Sequence, residues 1–427
     1  MENFLVQTFT IANHPVMRLK REFKEQYVRG VGECLCRLTR NDAATKMVFE
    51  VWCVSILGFN LPGAFAYSDS YESVRNALSF HRSGFAFITM RSAFLFDCFY
   101  LLEKSQQNIR SRAYSFLLER AHGYFVRKKL DYTYAFFEGR NNGKQIPAVL
   151  LSHRQRALSF ANSKVKRVLI VATMSAGKST LVNALVGHKV SQVRATACTS
   201  IVHRIYNKPV AEGAVASLGR DGFLYTDDYS QLVSESVEAI GVNFSTQLSK
   251  ARICLLDTPG VNYYGDKSHG ELTRKMIQEN EYDVLVLVLN AQQLAIEDEW
   301  GLIDFVSKNC RRKVIGVLNQ CDVFKASEDS IEEALKCGRG MMSQAGIQHP
   351  VVIPVSAQAA FLSRQAAELG DTMDEEDAFE YRRMAKKMAK PYYDLLSYLP
   401  DASKRMKTTS LIERSGVPFL ERALLNA

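Results

Sequence analysis

From Lys166 onward the chain alternates short, almost wholly apolar runs with amphipathic stretches; the runs are "RVLIVA", "RICLLD", "DVLVLVLN", "KVIGVLN" and "PVVIPVS". Runs this apolar predict strands covered on both faces, and the helical spacings between them predict a doubly wound α/β fold with a mostly parallel sheet. Before Lys166 the pattern differs. Residues 1–160 show few alternations and many helical spacings; in "ERAHGYFVRKKLDYTYAFF" aromatics recur every three or four positions, which predicts an all-helical bundle with an aromatic core. The turn-rich segment Glu138 to Pro147 interrupts it, and a helix over Ala148 to Asn162 leads onward. After Ser356 the pattern is helical to the end, and "DEEDAFEYRRMAKKMAK" places acids before bases as the helix dipole favours. The expected organisation is a helical bundle over 1–147, the α/β domain over 148–360, and C-terminal helices over 361–427 that complete or pack on it.

Composition is that of an ordinary globular protein, long enough for two or three cores. Nine cysteines, several inside apolar runs and none in a C-x-x-C pair, read as buried reduced thiols of a cytoplasmic protein. Cys34 and Cys36 form a C-x-C with no matching pair to complete a metal site, so they read as helix or core residues. The N-terminus places its charge after its apolar part, unlike a secretory signal. The charge-free run Val51 to Ser68 is broken by Asn60, Pro62 and two glycines, and predicts a buried helix ending near Gly58, not a membrane span. The net charge of +9 is uneven: residues 1–160 carry 22 Lys and Arg against 13 Asp and Glu, while the remainder carries 32 of each. Such a bias suits an anionic membrane surface or nucleic acid, or is simply a solvated helix face.

Chemistry concentrates in "ATMSAGKSTLVNALVG", Ala172 to Gly187. Following a strand and opening a helix, it matches the phosphate-loop (P-loop) pattern G-x-x-x-x-G-K-[ST] except that Ala172 takes the first Gly. Backbone N–H groups of Ser175, Ala176, Gly177, Lys178, Ser179 and Thr180 would wrap phosphates at a helix N-terminus. Lys178 would neutralise the β- and γ-phosphates and the Ser179 hydroxyl would bind magnesium. The Ala172 methyl is tolerable if φ there stays negative.

Three further motifs follow in order, each at the carboxyl end of a predicted strand, where ligands of open α/β sheets bind. "LLDTPGV" brings Asp257, a carboxylate able to hold magnesium through water, and Gly260, whose N–H can meet a γ-phosphate. "VLNQCD" ends a strand with Asn319 and Asp322; an Asp here can accept from guanine N1–H and its exocyclic amine, a pair adenine does not offer. "VSAQ" supplies Ser356 and Ala357, whose backbone can meet the guanine carbonyl. The four together imply a site for GTP or GDP with Mg2+.

In these motifs the chain resembles the dynamin-like GTPases, the bacterial type in particular. "MSAGKST" is similar to their P-loop, and "VRATACTSIVHRI" resembles their first switch. The resemblance implies Thr199 as a magnesium ligand, with Thr196 a second candidate, and implies that Ser175 helps hold a monovalent cation in place of an arginine finger. The long interval between Lys178 and Asp257 contains "GFLYTDDYSQLVSESVEAI", read as an inserted strand, turn and helix. "SLIERSGVPFLERALL" resembles the helix that closes such domains. His203, in "IVHRIY", reads as an ordinary satisfied histidine on the strand after the switch.

The chain departs from that pattern in places. Gln320 stands where the guanine motif carries a Lys that packs over the base. Val261 follows Gly260 where Ras-like enzymes carry a water-orienting Gln, so water would be placed by backbone of Thr199 and Gly260. The chain stops near the end of the GTPase domain, without an evident stalk and membrane tip after it. The expected function is GTP hydrolysis that rearranges the helical region. The expected partners are a second copy, forming a homodimer through the GTPase domains, or a protein that supplies a stalk. A peripheral position at the membrane is a lesser expectation. Two rivals are a regulatory GTPase switch acting on a protein partner, and a nucleic-acid-binding module with a regulatory GTPase.

Overall fold

Seven helices among the described residues surround an aromatic core: α1 (Arg21–Thr39), α2 (Ala43–Leu57), α3 (Glu72–Ser79), α4 (Phe85–Lys104), α5 (Arg110–Arg120), α6 (Tyr124–Phe137) and α7 (Ala148–Asn162). This is a computed structural model, and it describes residues 5, 13–67, 70–79, 85–105, 108–191, 201–209, 213–218, 222–226, 228–232, 237–261, 267–399 and 410–427. Contacts divide the chain into two units, Gln7–Asn162 and Ser163–Ala427. The helix Ala148–Asn162 thus sits in the first unit, and the division falls after it instead of before it.

In the helical unit Tyr27, Phe49, Trp52, Phe94, Phe96 and Phe99 are each almost fully buried. The Tyr27 hydroxyl donates to Asp97 Oδ2 at 2.6 Å and His14 Nε2 lies 3.2 Å from the same oxygen, which supplies partners for polar groups in an otherwise apolar interior. As the pattern predicts, α2 stops where Gly58 takes a left-handed φ of 80°. The aromatic run at 119–137 is divided by a turn whose Gly123 has φ 88°, and Tyr124 and Phe125 just beyond it are 70% and 77% exposed, so these two are not core residues. Cys34 and Cys36 are buried on α1, but among the described cysteines Cys310 is half-buried and Cys337 exposed, exceptions to the buried reading. Among the described residues no helix is long and apolar enough to cross a membrane.

The second unit holds a nine-stranded sheet in the order β4-β3-β5-β2-β6-β1-β7-β8-β9. Its strands are β1 (Lys166–Ala172), β2 (His203–Asn207), β3 (Ala214–Leu218), β4 (Gly222–Thr226), β5 (Val237–Val242), β6 (Ile253–Asp257), β7 (Val284–Asn290), β8 (Lys313–Asn319) and β9 (Val351–Pro354). The half running from β6 through β1 to β9 is wholly parallel, with β1, β6 and β7 buried along nearly their whole length. The other half is mixed: β2 runs antiparallel to β6 and parallel to β5, while β3 is antiparallel to both β4 and β5. The helix expected at the end of the inserted segment is instead strand β5. Every one of its residues but Glu238 is buried, and its backbone bonds are taken up by antiparallel pairing with β3 and parallel pairing with β2.

Eight helices flank this sheet: α8 (Lys178–Val186), α9 (Lys267–Glu279), α10 (Glu297–Asn309), α11 (Ile331–Gln344), α12 (Ala357–Leu369), α13 (Glu375–Met388), α14 (Leu411–Arg414) and α15 (Val417–Asn426). Val417, Leu420 and Leu424 of α15 join the same apolar core as β1 and α8. The Lys166 ammonium donates to the carbonyls of Leu424 and Leu425 at 3.1 and 2.8 Å, satisfying acceptors that the end of α15 leaves open. Arg364 of α12 bonds both the Ala184 carbonyl at the end of α8 and the buried carboxylate of Glu421.

Candidate nucleotide site

The carboxyl ends of β1, β6, β7, β8 and β9 meet at one edge, and the residues singled out in the sequence cluster there. After β1 the chain turns through Ser175 (φ 62°) and Gly177 (φ 77°), both left-handed, and enters α8 at Lys178. No side chain caps α8, so the first-turn N–H groups of Lys178, Ser179 and Thr180 face out of the helix N-terminus, a setting that favours an anion. Gly177 has a second reason to lack a side chain: a Cβ there would lie 2.4 Å from Asn319 Nδ2. Ala172 is buried at the end of β1 and is not among the left-handed residues, so its methyl costs nothing in backbone strain.

At the α8 end of this edge, the Lys178 ammonium pairs with Asp257 Oδ1, both side chains being nearly buried. The Ser191 hydroxyl donates to Asp257 Oδ2 at 2.7 Å, which leaves the carboxylate held on both oxygens. Backbone bonds join the neighbouring segments: Val261 N–H to the Ala172 carbonyl at 3.0 Å, and Met174 N–H to the Val261 carbonyl at 3.3 Å. The Thr258 hydroxyl donates to the Ile170 carbonyl at 2.9 Å. Gly260 therefore sits directly against the P-loop, with Met174 its nearest neighbour. The Val261 side chain is buried.

At the other end, Asn319 carries both halves of the site. Its Nδ2 donates to the Ala176 carbonyl at 2.9 Å, and its Oδ1 accepts from the Ala357 N–H at 3.1 Å. Gln320, at a left-handed φ of 66°, donates from Nε2 to the Ser175 carbonyl at 2.8 Å. Asp322 lies in a short 3-10 turn three residues beyond Asn319 and is nearly buried. Burial pushes its carboxyl above the usual range, and the Ser356 hydrogen bond with the cations Lys387 and Arg383 pulls the other way. Ser356 caps α12, its hydroxyl accepting from the Ala359 N–H at 3.1 Å.

Of the residues expected to act together, Ser175 through Thr180, Asp257, Gly260, Asn319, Asp322, Ser356 and Ala357 all lie along this edge. Thr199 and Thr196 lie outside the described residues. His203 is on β2 in register opposite Asp257, and burial holds its imidazole below the usual range. Sequence reasoning missed three contributors. Asn290 stands in register with Asn319, and its Nδ2 approaches the Ser175 carbonyl at 3.4 Å. A buried strand ending in Asn beside another was the available signal. Asn183 and Ser191 carry no such signal, because their bonds depend on how the chain turns after α8.

One titratable group lies just behind. Glu299 is buried on α10 and accepts from the Asn290 N–H at 2.9 Å. Burial pushes its carboxyl up to about 7, against the pull of backbone hydrogen bonds from Asn290 and Ala295.

Residues 168–321 match the family model of the Dynamin family. No curated protein matches the chain. Among solved structures, an oligomerised bacterial dynamin pair described as sensing and tethering membranes at long range is similar at 16% identity, over 93% of this chain and 60% of that one, with a TM-score of 0.38. Era bound to MgGDPNP and part of 16S ribosomal RNA is similar at 21% identity, over 46% of this chain and 52% of that one, with a TM-score of 0.30. An Aquifex aeolicus Era variant bound to GDP and AlF4- is similar at 21% identity, over 45% of this chain and 52% of that one, with a TM-score of 0.28. The chain thus spans between half and three-fifths of the length of these solved chains.

Proposed function

Because residues 168–321 match the family model of the Dynamin family, we propose that the protein is a GTPase of that kind, which binds GTP along the edge just described and hydrolyses it. The observation that carries this is Asn319, which bonds the P-loop at Ala176 and the Ser356–Ala357 turn at once and so fixes the distance between a phosphate cradle and a base pocket. In this reading the N–H groups of Ser175 to Thr180 hold the phosphates, and Asp322 accepts from the guanine edge while the backbone of Ser356 and Ala357 meets its carbonyl. Burial raises the Asp322 carboxyl, while the Ser356 hydrogen bond and the charges of Lys387 and Arg383 act against that, toward the ionised form this role needs.

Lys178 exchanges one anion for another. Its ammonium leaves Asp257 for the β- and γ-phosphate oxygens, where it offsets charge that grows in the transition state. The donors beside it, the Ser179 hydroxyl and the Asp257 carboxylate acting through water, are hard oxygens that suit magnesium, and Thr199 is the further ligand proposed. Magnesium, when bound, supplies counter-charge across the β- and γ-phosphates. Val261 is buried, so the attacking water is oriented by backbone of Gly260 and Thr199. Ser175 is proposed to hold a monovalent cation once two GTPase domains pair, which raises a slow intrinsic turnover. Nucleotide state is then coupled to rearrangement of the helical unit.

Turnover and binding of GTP and ATP by the full chain, beside Lys178→Ala and Asp322→Asn, test this. The expected result is GTP preference in the parent chain, loss of both activities in Lys178→Ala, and relaxed base preference in Asp322→Asn. Equal use of ATP by the parent chain overturns the assignment. Specific activity that rises with protein concentration supports pairing, and flat activity removes it.

A further inference from the structure

Asp257 is held from two directions. Lys178 pairs with Oδ1, and the Ser191 hydroxyl donates to Oδ2 at 2.7 Å. Ser191 is itself fixed with unusual completeness. Its N–H donates to Asn183 Oδ1 at 2.8 Å, its carbonyl accepts from Asn183 Nδ2 at 2.9 Å, and the preceding Val190 N–H donates to the same Oδ1 at 2.9 Å. Asn183 is almost fully buried on α8, the helix that begins with Lys178. The result is a closed ring: α8 reaches Asp257 once through its first residue and again through Asn183 and Ser191.

The two arms differ in what a nucleotide does to them. Lys178 is the group that phosphates claim. A carboxylate torsion is broad, so an Asp257 that lost its ammonium would swing unless another donor fixed its plane. Ser191 is that donor. Nothing about it competes with phosphate, since it reaches Asp257 through a side-chain amide lock and not through the P-loop backbone. Donors of this kind orient a carboxylate toward a metal or its water, and their loss typically weakens metal affinity by about 10- to 100-fold.

We infer that Ser191 is a positioning residue that holds Asp257 in the orientation serving magnesium after Lys178 has moved to the phosphates. This rests on the nucleotide reading above.

The test is binding of a fluorescent, non-hydrolysable GTP analogue to the full chain, titrated with MgCl2 and repeated in EDTA, for the parent chain, Ser191→Ala and Ser191→Thr. Ser191→Ala is expected to need about 10-fold more magnesium for half-maximal tightening, with affinity in EDTA within about twofold of the parent, since the phosphate cradle itself is unchanged. Ser191→Thr, which keeps the hydroxyl, is expected to restore the parent midpoint. If Ser191→Ala does not fold by circular dichroism, Ser191→Cys, a poor donor of similar size, carries the same expectation. An unchanged magnesium midpoint overturns the inference, and so does an equal loss of affinity in EDTA, which would mark general damage. Failure of the parent chain to bind the analogue at all would instead overturn the nucleotide reading.

Discussion

The Gln320 side chain donates to the Ser175 carbonyl at 2.8 Å, so a neutral amide clasps the loop after β8 to the loop after β1. A single such bond is worth about 1 kcal/mol. Gln320→Ala is therefore expected to speed nucleotide release about fivefold, read by stopped-flow displacement of a fluorescent guanine nucleotide. Gln320→Lys keeps a donor and adds an alkyl stem over the base, and is expected to slow release. Identical release rates in all three proteins would show that the clasp contributes nothing.

Lys178 and Asp257 allow stability and binding to be separated. Removing one partner of a buried pair leaves a charge without its counter-ion, at about 3–5 kcal/mol. Lys178→Ala should thus melt well below the parent chain even without nucleotide. Adding Asp257→Asn should recover most of the melting temperature and none of the GTP binding. A single variant as stable as the parent would contradict the buried pairing.

Gly177 is constrained twice, by φ 77° and by the 2.4 Å approach of Asn319 Nδ2 to any Cβ. Left-handed backbone costs a non-glycine residue about 1–2 kcal/mol, and displacing Asn319 would also release its bonds to Ala176 and Ala357. Gly177→Ala should destabilise the unit by more than the backbone term alone. Combined with Asn319→Ala, the cost should fall short of the sum, as measured by a double-mutant cycle in urea.

Glu299 makes stability depend on pH. Its carboxyl is raised by burial to about 7, so its contribution is full below the unfolded value near 4.5 and is lost as pH rises through about 7. The effect is at most on the order of 3 kcal/mol. Melting temperature of the nucleotide-free chain should decline between pH 5 and 8, and Glu299→Gln should flatten that decline. A parent profile already flat would show that the carboxyl ionises freely.

The elements legible in the sequence were those whose chemistry is local. β1, β6, β7, β8 and β9 are apolar along their length because both faces are covered, and α8 ends at Gly187, whose left-handed φ of 90° only glycine takes freely. Strand β3, "AVASL", and β5, "VEAIGV", carry weak local preference. They become strands because neighbours accept their backbone bonds, which no window of residues reveals. The site divides in the same way. Lys178, Asp257 and Asp322 announce themselves by motif spacing, whereas Asn183, Ser191 and Asn290 act through bonds set by register and turn geometry. Gln320 stands in the sequence where a Lys is expected, but its bond to Ser175 depends on the two loops lying side by side.

The ammonium of Lys166 caps the end of α15 across 258 positions. During synthesis, then, the first strand of the sheet must wait for nearly the whole unit to leave the ribosome before its last partner exists. Closing so distant a contact is slow and leaves apolar edges open meanwhile. A nascent chain stalled before residue 411 would leave open the part of the core that Val417, Leu420 and Leu424 fill, an apolar surface exposed to aggregation.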